Sequence, residues 1–135
     1  MRSPRNPIQP PSQIPIVLVI GRSRARVIAV RRALDRYGIS TTTMDWRAPA
    51  SGLWRLGSKT PHVIVVDIPP PVTADHVDML TRLRDRWEHA PQIALTAKAG
   101  PSVLTSLLAV GVDDFVSSEN SWAELVVRLR RQLRR

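Results

Sequence analysis

The chain has 135 residues, a net charge of +9, 43% hydrophobic residues and no cysteine. A chain of this length builds one hydrophobic core, and the missing thiol excludes disulfide scaffolds, zinc knuckles, thiol nucleophiles and iron–sulfur clusters. No apolar run approaches the ~20 residues that span a bilayer. Arg2 and Arg5 are followed by prolines rather than by the apolar core of a signal peptide, so the expectation is a cytoplasmic protein with no membrane partner.

Residues 1–13 (MRSPRNPIQPPSQ) hold four prolines and two arginines and read as a disordered tail or extended arm. The folded domain is expected over 14–135. Ile16 to Ile20 is a short β-branched run ending at Gly21, the mark of a strand buried on both faces. Val27, Val30, Leu34 and Tyr37 recur at helical spacing, and Gly38 closes that helix. Ile39 to Met44 is threonine-rich and reads as an edge strand, and Leu53, Trp54 and Leu56 allow one short helix within 47–60. His62 to Asp67 predicts a second buried strand, followed by a helix carrying Val77, Leu80, Leu83 and Trp87. Ile93 to Thr96 predicts a strand, Val103 to Val110 a nearly all-apolar helix ended by Gly111, and Phe115-Val116 a short strand. Trp122, Leu125, Val126, Leu129 and Leu133 give the last helix an apolar stripe.

Strands alternating with helices at this spacing mean right-handed βαβ units on a parallel sheet, an α/β doubly wound three-layer sandwich of five strands and five helices. Function in such sheets gathers at the carboxyl ends of the strands, which directs attention to Gly21-Arg22, Met44-Asp45, Asp67, Thr96 and Ser117-Ser118. Asp67 follows four apolar residues, so its carboxylate emerges where the strand leaves the sheet, in place to act as nucleophile or metal ligand. Taken alone, it also reads as a turn-forming Asp ahead of Pro69. His62, His76 and His89 lack ligand or relay spacing and are assigned to the surface, and the serines near 117–121 have no His/Asp set to activate them. No enzyme activity is expected.

The basic residues are almost all arginine, eighteen of twenty, in clusters at 22–36, 82–86 and 128–135. Interleaved with apolar residues, they read as solvated helix faces. A nucleic-acid-binding protein acting through its arginines requires them to form one continuous basic surface.

From residue 14 onward the order of elements resembles the receiver domain of bacterial response regulators, in the form that precedes winged-helix DNA-binding domains. Val63-Ile64-Val65-Val66-Asp67, with Pro71 four residues on, resembles the strand ending in the phosphoacceptor Asp. Ile93 to Ala97 resembles the strand ending in the switch Ser/Thr, here Thr96, and Gly111 to Val116 the approach to the fifth strand, whose aromatic, here Phe115, takes part in switching. Glu124 to Arg135 resembles the last helix. The resemblance implies a flavodoxin-like (βα)5 fold with strand order 2-1-3-4-5.

The departures from the family pattern carry chemistry. Gly21-Arg22 stands where the family has two magnesium-holding acids, and Ser118-Glu119 where it has lysine and proline. Phosphoryl transfer to a carboxylate depends on charge neutralisation and positioning, and magnesium needs hard oxygen ligands. With both acids and the lysine absent, no cofactor, magnesium included, is expected. Arg22 either reaches Asp67 as an ion pair or points to solvent, and adjacent strand ends favour the pair, worth ~0–1 kcal/mol if exposed. Thr96 is read as a switch or as a hydroxyl satisfying a backbone group, and Phe115 as core or switch.

The function expected is an atypical receiver, a phosphorylation-independent signalling and dimerisation module regulating transcription with a DNA-binding regulator. Its partners would be a second copy of itself, a histidine kinase or other signalling protein, and DNA through an additional domain. A conventional phosphorelay receiver using Asp67 and an arginine-mediated nucleic-acid binder are the alternatives. Leu104, Leu107 and Leu108 give the helix at 103–110 a surplus of apolar surface. A two-fold axis there would set Asp113 and Asp114 of one subunit against Arg128, Arg130 and Arg131 of the other, on the face through which the related receivers pair.

Overall fold

The computed structural model describes residues 14–46, 59–97, 99–119 and 121–134. Five strands, β1 (Val17–Gly21), β2 (Thr41–Asp45), β3 (Val63–Asp67), β4 (Gln92–Thr96) and β5 (Asp114–Ser117), form one parallel sheet in the order β2-β1-β3-β4-β5. The described helices are α1 (Arg24–Asp35), α2 (Ala74–Arg86), α3 (Pro101–Ala109) and α4 (Trp122–Leu133). The fold is the flavodoxin-like sandwich expected. The tail at 1–13 and the bulk of the segment expected to hold a short helix, residues 47–58, lie outside the described residues.

Strand alternation divides the core into two layers. Val17, Val19, Val63, Val65, Ile93 and Leu95 point to one face, where Val27, Val30 and Leu34 of α1 meet Leu125, Val126 and Leu129 of α4. Leu18, Ile20, Ile64, Val66 and Ala94 point to the other, against Met79, Leu80 and Leu83 of α2 and Leu107 of α3. Full burial of one such side chain stabilises by about 1.5–3 kcal/mol. β1, β3 and β4 are buried along their whole length, which explains why their sequences are apolar at every position rather than alternating.

The helix ends follow local chemistry. Ser23 caps α1 by accepting from the Arg26 N–H at 3.3 Å, and Pro101 opens α3 where its missing N–H costs nothing. Gly38 and Gly111 take φ of 77° and 115° after α1 and α3, a conformation that side chains resist. Tyr37 departs from the expected apolar stripe. α1 has ended by Asp35, so the ring is 42% exposed and the Tyr37 carbonyl accepts from Arg130 at 3.0 Å.

Candidate functional site

Asp67 ends β3 in register with Gly21 on one side and Leu95 on the other. It shares its strand parity with Val63 and Val65, so its carboxylate is directed to the face that α1 covers. There it is fully buried, and both oxygens are engaged by one guanidinium: Arg26 Nε donates to Oδ2 at 2.6 Å and Nη2 to Oδ1 at 2.7 Å. This two-point fork is the strongest arrangement available to an arginine and a carboxylate. The hydrogen bond to Asp67 raises the Arg26 pKa above its ordinary value, against the partial desolvation that lowers it.

The expected partner, Arg22, does not make this bond. It follows Gly21 with the opposite parity, toward the α2 face, and its Nη2 lies 3.7 Å from Asp75 Oδ2 in the first turn of α2. Arg26 stands in the first turn of α1, where side chains tilt back toward the helix N-terminus and hence over the end of β3. The signal was present in the sequence as the parity of Asp67 combined with this backward tilt.

Gly21 makes room for the pair. A Cβ there would stand 2.9 Å from Val27 Cγ2 and 3.1 Å from Asp67 Cβ, closer than side chains normally pack. One strand over, Thr96 is buried and its hydroxyl has no hydrogen-bond partner, so it satisfies no backbone group. Phe115 is half-buried and packs against the α2–α3 core. Ser118 follows β5, and its N–H donates to the Thr96 carbonyl at 2.9 Å. Among the described residues no group of three His, Asp or Glu side chains is gathered in a metal-binding arrangement.

His76 corrects the surface assignment. It lies in the first turn of α2 and is 3% exposed, edge-on to Trp46 with ring centroids 5.3 Å apart. Its Nδ1 accepts from the Thr73 N–H at 2.9 Å, which places the ring proton on Nε2, an atom with no hydrogen-bond partner. Burial lowers the His76 pKa, and nearby Arg22 lowers it further, against Asp75 and Asp67. His76, Met79, Leu80 and Leu83 form an i, i+3, i+4, i+7 stripe, and the half-buried Val77 lies beside it. His62 and His89 are exposed, as expected.

Asp113 and Asp114, expected to meet arginines across a dimer axis, are paired inside one chain, and of the expected arginines Arg128 alone takes part, Arg130 donating instead to the Tyr37 carbonyl. Arg128 Nη1 donates to both oxygens of Asp114 at 2.7 and 2.9 Å, and Arg84 Nη2 to Asp113 at 2.9 Å. Arg84 also donates to the Gly111 carbonyl, and Asp113 accepts from the Gln92 N–H at 2.7 Å. α3 retains its apolar surplus. Leu107 is fully buried, Leu104 is half-buried, and Leu108 is 53% exposed.

No family model matches the chain. It is 34% identical over 107 residues to the transcriptional regulatory protein CseB of Streptomyces avermitilis, covering 79% of this chain and 44% of that protein. It is 29% identical over 119 residues to the response regulator MprA of Mycolicibacterium vanbaalenii, covering 88% and 50%. The chain thus spans half or less of the length of these relatives. Its fold matches the chemotaxis protein CheY4 of Vibrio cholerae with a TM-score of 0.71 at 21% identity, over 87% of this chain and 98% of that one.

Proposed function

The chain is a receiver domain of the response-regulator family, and from that premise we propose that it signals through protein contacts without accepting phosphate on Asp67. In this reading it is an atypical receiver that regulates transcription as part of, or together with, a DNA-binding regulator. The observation that carries the reading is the buried Asp67 carboxylate with both oxygens held by Arg26. A phosphoryl group brought to that carboxylate must displace the guanidinium and then needs cations to neutralise its own charge. Gly21 supplies no side-chain oxygen ligand, Arg22 repels a divalent cation, and Ser118 offers no positive group. The described residues do not fit magnesium, and the site is proposed to work without it. Arg26 already supplies, in cis, the positive charge that a phosphorylated site recruits from outside.

Incubation with acetyl phosphate and magnesium is expected to leave the intact mass unchanged. Stoichiometric addition of one phosphoryl group, abolished by Asp67→Asn, would establish the conventional phosphorelay reading instead.

Self-association is proposed through α3, where Leu108 is exposed beside the half-buried Leu104 on a helix that buries only Leu107 completely. Because Asp113 and Asp114 are already paired within the chain, the contact rests on leucine rather than on reciprocal ion pairs. Sedimentation over a concentration series is expected to show a dimer that Leu108→Glu dissociates. A monomer at every concentration would exclude it.

A further inference from the structure

Charge in this domain is sorted between the two faces of the sheet. Acids cluster on and beside α2, where Asp75, Asp78 and Asp113 each hold an arginine, while Asp67 and Asp114 are directed to the α1–α4 face and are held there by Arg26 and Arg128. On the α1–α4 face the balance reverses. Arg24, Arg31, Arg32, Arg36, Arg130 and Arg134 are all exposed, and none forms an ion pair with a carboxylate among the described residues. α1 carries one acid, Asp35, and the only acid of α4, Glu124, lies 3.4 Å from Arg128. The two helices share one core layer, and Arg130 ties them by donating to the Tyr37 carbonyl. The arginines therefore stand on one surface, the condition that the linear clusters alone did not meet.

The surface extends into a cleft of about 660 Å³ beside β1 and β2. Arg22, Arg24 and Arg31 line it with Ser23 and Thr43, with no carboxylate among the described lining residues, although Arg22 also lies 3.7 Å from Asp75. α1 presents its N-terminus here with no acid in its first turn, so the helix dipole adds to the positive potential.

We propose that the α1–α4 face binds the phosphate backbone of duplex DNA without reading its sequence. Guanidinium forks match phosphate oxygens, and each 12-residue helix extends about 18 Å, long enough to meet several successive phosphates. A protein partner would need an apolar centre to the contact, and among the described residues Val127 is the only large apolar side chain exposed on these helices, with Tyr37 just beyond the end of α1. The same scarcity leaves no apolar wedge for insertion into a lipid surface. This inference is independent of whether Asp67 is phosphorylated.

Fluorescence anisotropy of a labelled 20-base-pair duplex of mixed sequence, titrated with the full chain, tests it. Neutralising about four phosphates predicts a loss of affinity of about 100-fold between 50 and 200 mM salt. Arg32→Gln combined with Arg134→Gln is expected to weaken binding at least tenfold at 50 mM salt and to flatten the salt slope by about two. Arg82→Gln, on α2, is expected to change neither. Absence of binding at 50 mM salt overturns the proposal, as does equal loss in the Arg82 variant. Equal affinity for poly-glutamate would assign the face to an acidic protein instead, and binding only to phosphatidylcholine–phosphatidylserine vesicles would assign it to membranes.

Discussion

The two ends of the sheet use the same residue types to opposite effect. At the carboxyl end, Arg26 clamps an Asp67 that is wholly inaccessible, and His76 is packed under Trp46. At the amino end, Arg128 and Arg84 hold Asp114 and Asp113, whose side chains remain 21% and 45% exposed, and His89 stands in solvent. Water reaches both members of each pair in the second set but only the arginine of the first. An arginine–aspartate fork at the amino end ties loops together, whereas at the carboxyl end it neutralises a charge buried where this fold concentrates its chemistry.

That contrast is broken most sharply by deleting each arginine. Arg26→Ala leaves a carboxylate buried without its partner. It is expected to cost about 2–4 kcal/mol in urea unfolding, below the full penalty for a buried pair because Arg26 itself is partly exposed. Arg128→Ala is expected to cost about 0.5–1 kcal/mol, since both members of its pair reach water. Equal costs for the two variants would erase the distinction between the ends of the sheet.

The histidine at the carboxyl end sharpens the comparison through pH. Folding favours neutral His76, because burial and Arg22 lower its pKa and protonating Nδ1 would remove the acceptor for the Thr73 N–H. The unfolded chain then binds more protons than the folded one. The stability from this group is complete above the unfolded value of about 6.5 and is lost as pH falls below it toward the lower folded pKa. His76→Gln keeps an acceptor at the third helical position, where glutamine serves capping boxes, and does not titrate. Urea midpoints from pH 7 to 5.5 are expected to fall less in this variant than in the wild type, and an identical fall would show that His76 is not the titrating group.

The smallest effect is expected on the surface of α2. Arg82→Ala removes an exposed i, i+4 pair with Asp78 at 3.0 Å and should change the urea midpoint by no more than about 0.3–0.5 kcal/mol in free energy.

The strands were legible because a parallel sheet covered on both faces demands continuous β-branched runs, and Val17 to Ile20 and Val63 to Val66 have few other uses. Asp67 was legible for the same reason, as the first charge after such a run. Its partner was not. Sequence adjacency to Gly21 favoured Arg22, whereas strand parity sends Arg22 toward Asp75 and leaves Asp67 to a side chain one helical turn away. His76 was missed because a histidine among charged neighbours looks solvated until Met79, Leu80 and Leu83 show that it shares their face. The pairing of Asp113 and Asp114 within the chain was hidden by distance, since Arg84 lies 29 residues from Asp113 and meets it only once β4 and β5 are aligned. The basic face was equally hidden, because α1 and α4 lie at opposite ends of the sequence and are joined only by packing on one side of the sheet.

The most direct test of an Asp67 held permanently by Arg26 is ¹⁹F NMR of the chain with beryllofluoride and magnesium. The clamped carboxylate predicts resonances of free fluoride species alone, at every ratio of reagent to protein. A bound resonance that saturates at one equivalent in the wild type and disappears in Asp67→Asn would contradict it.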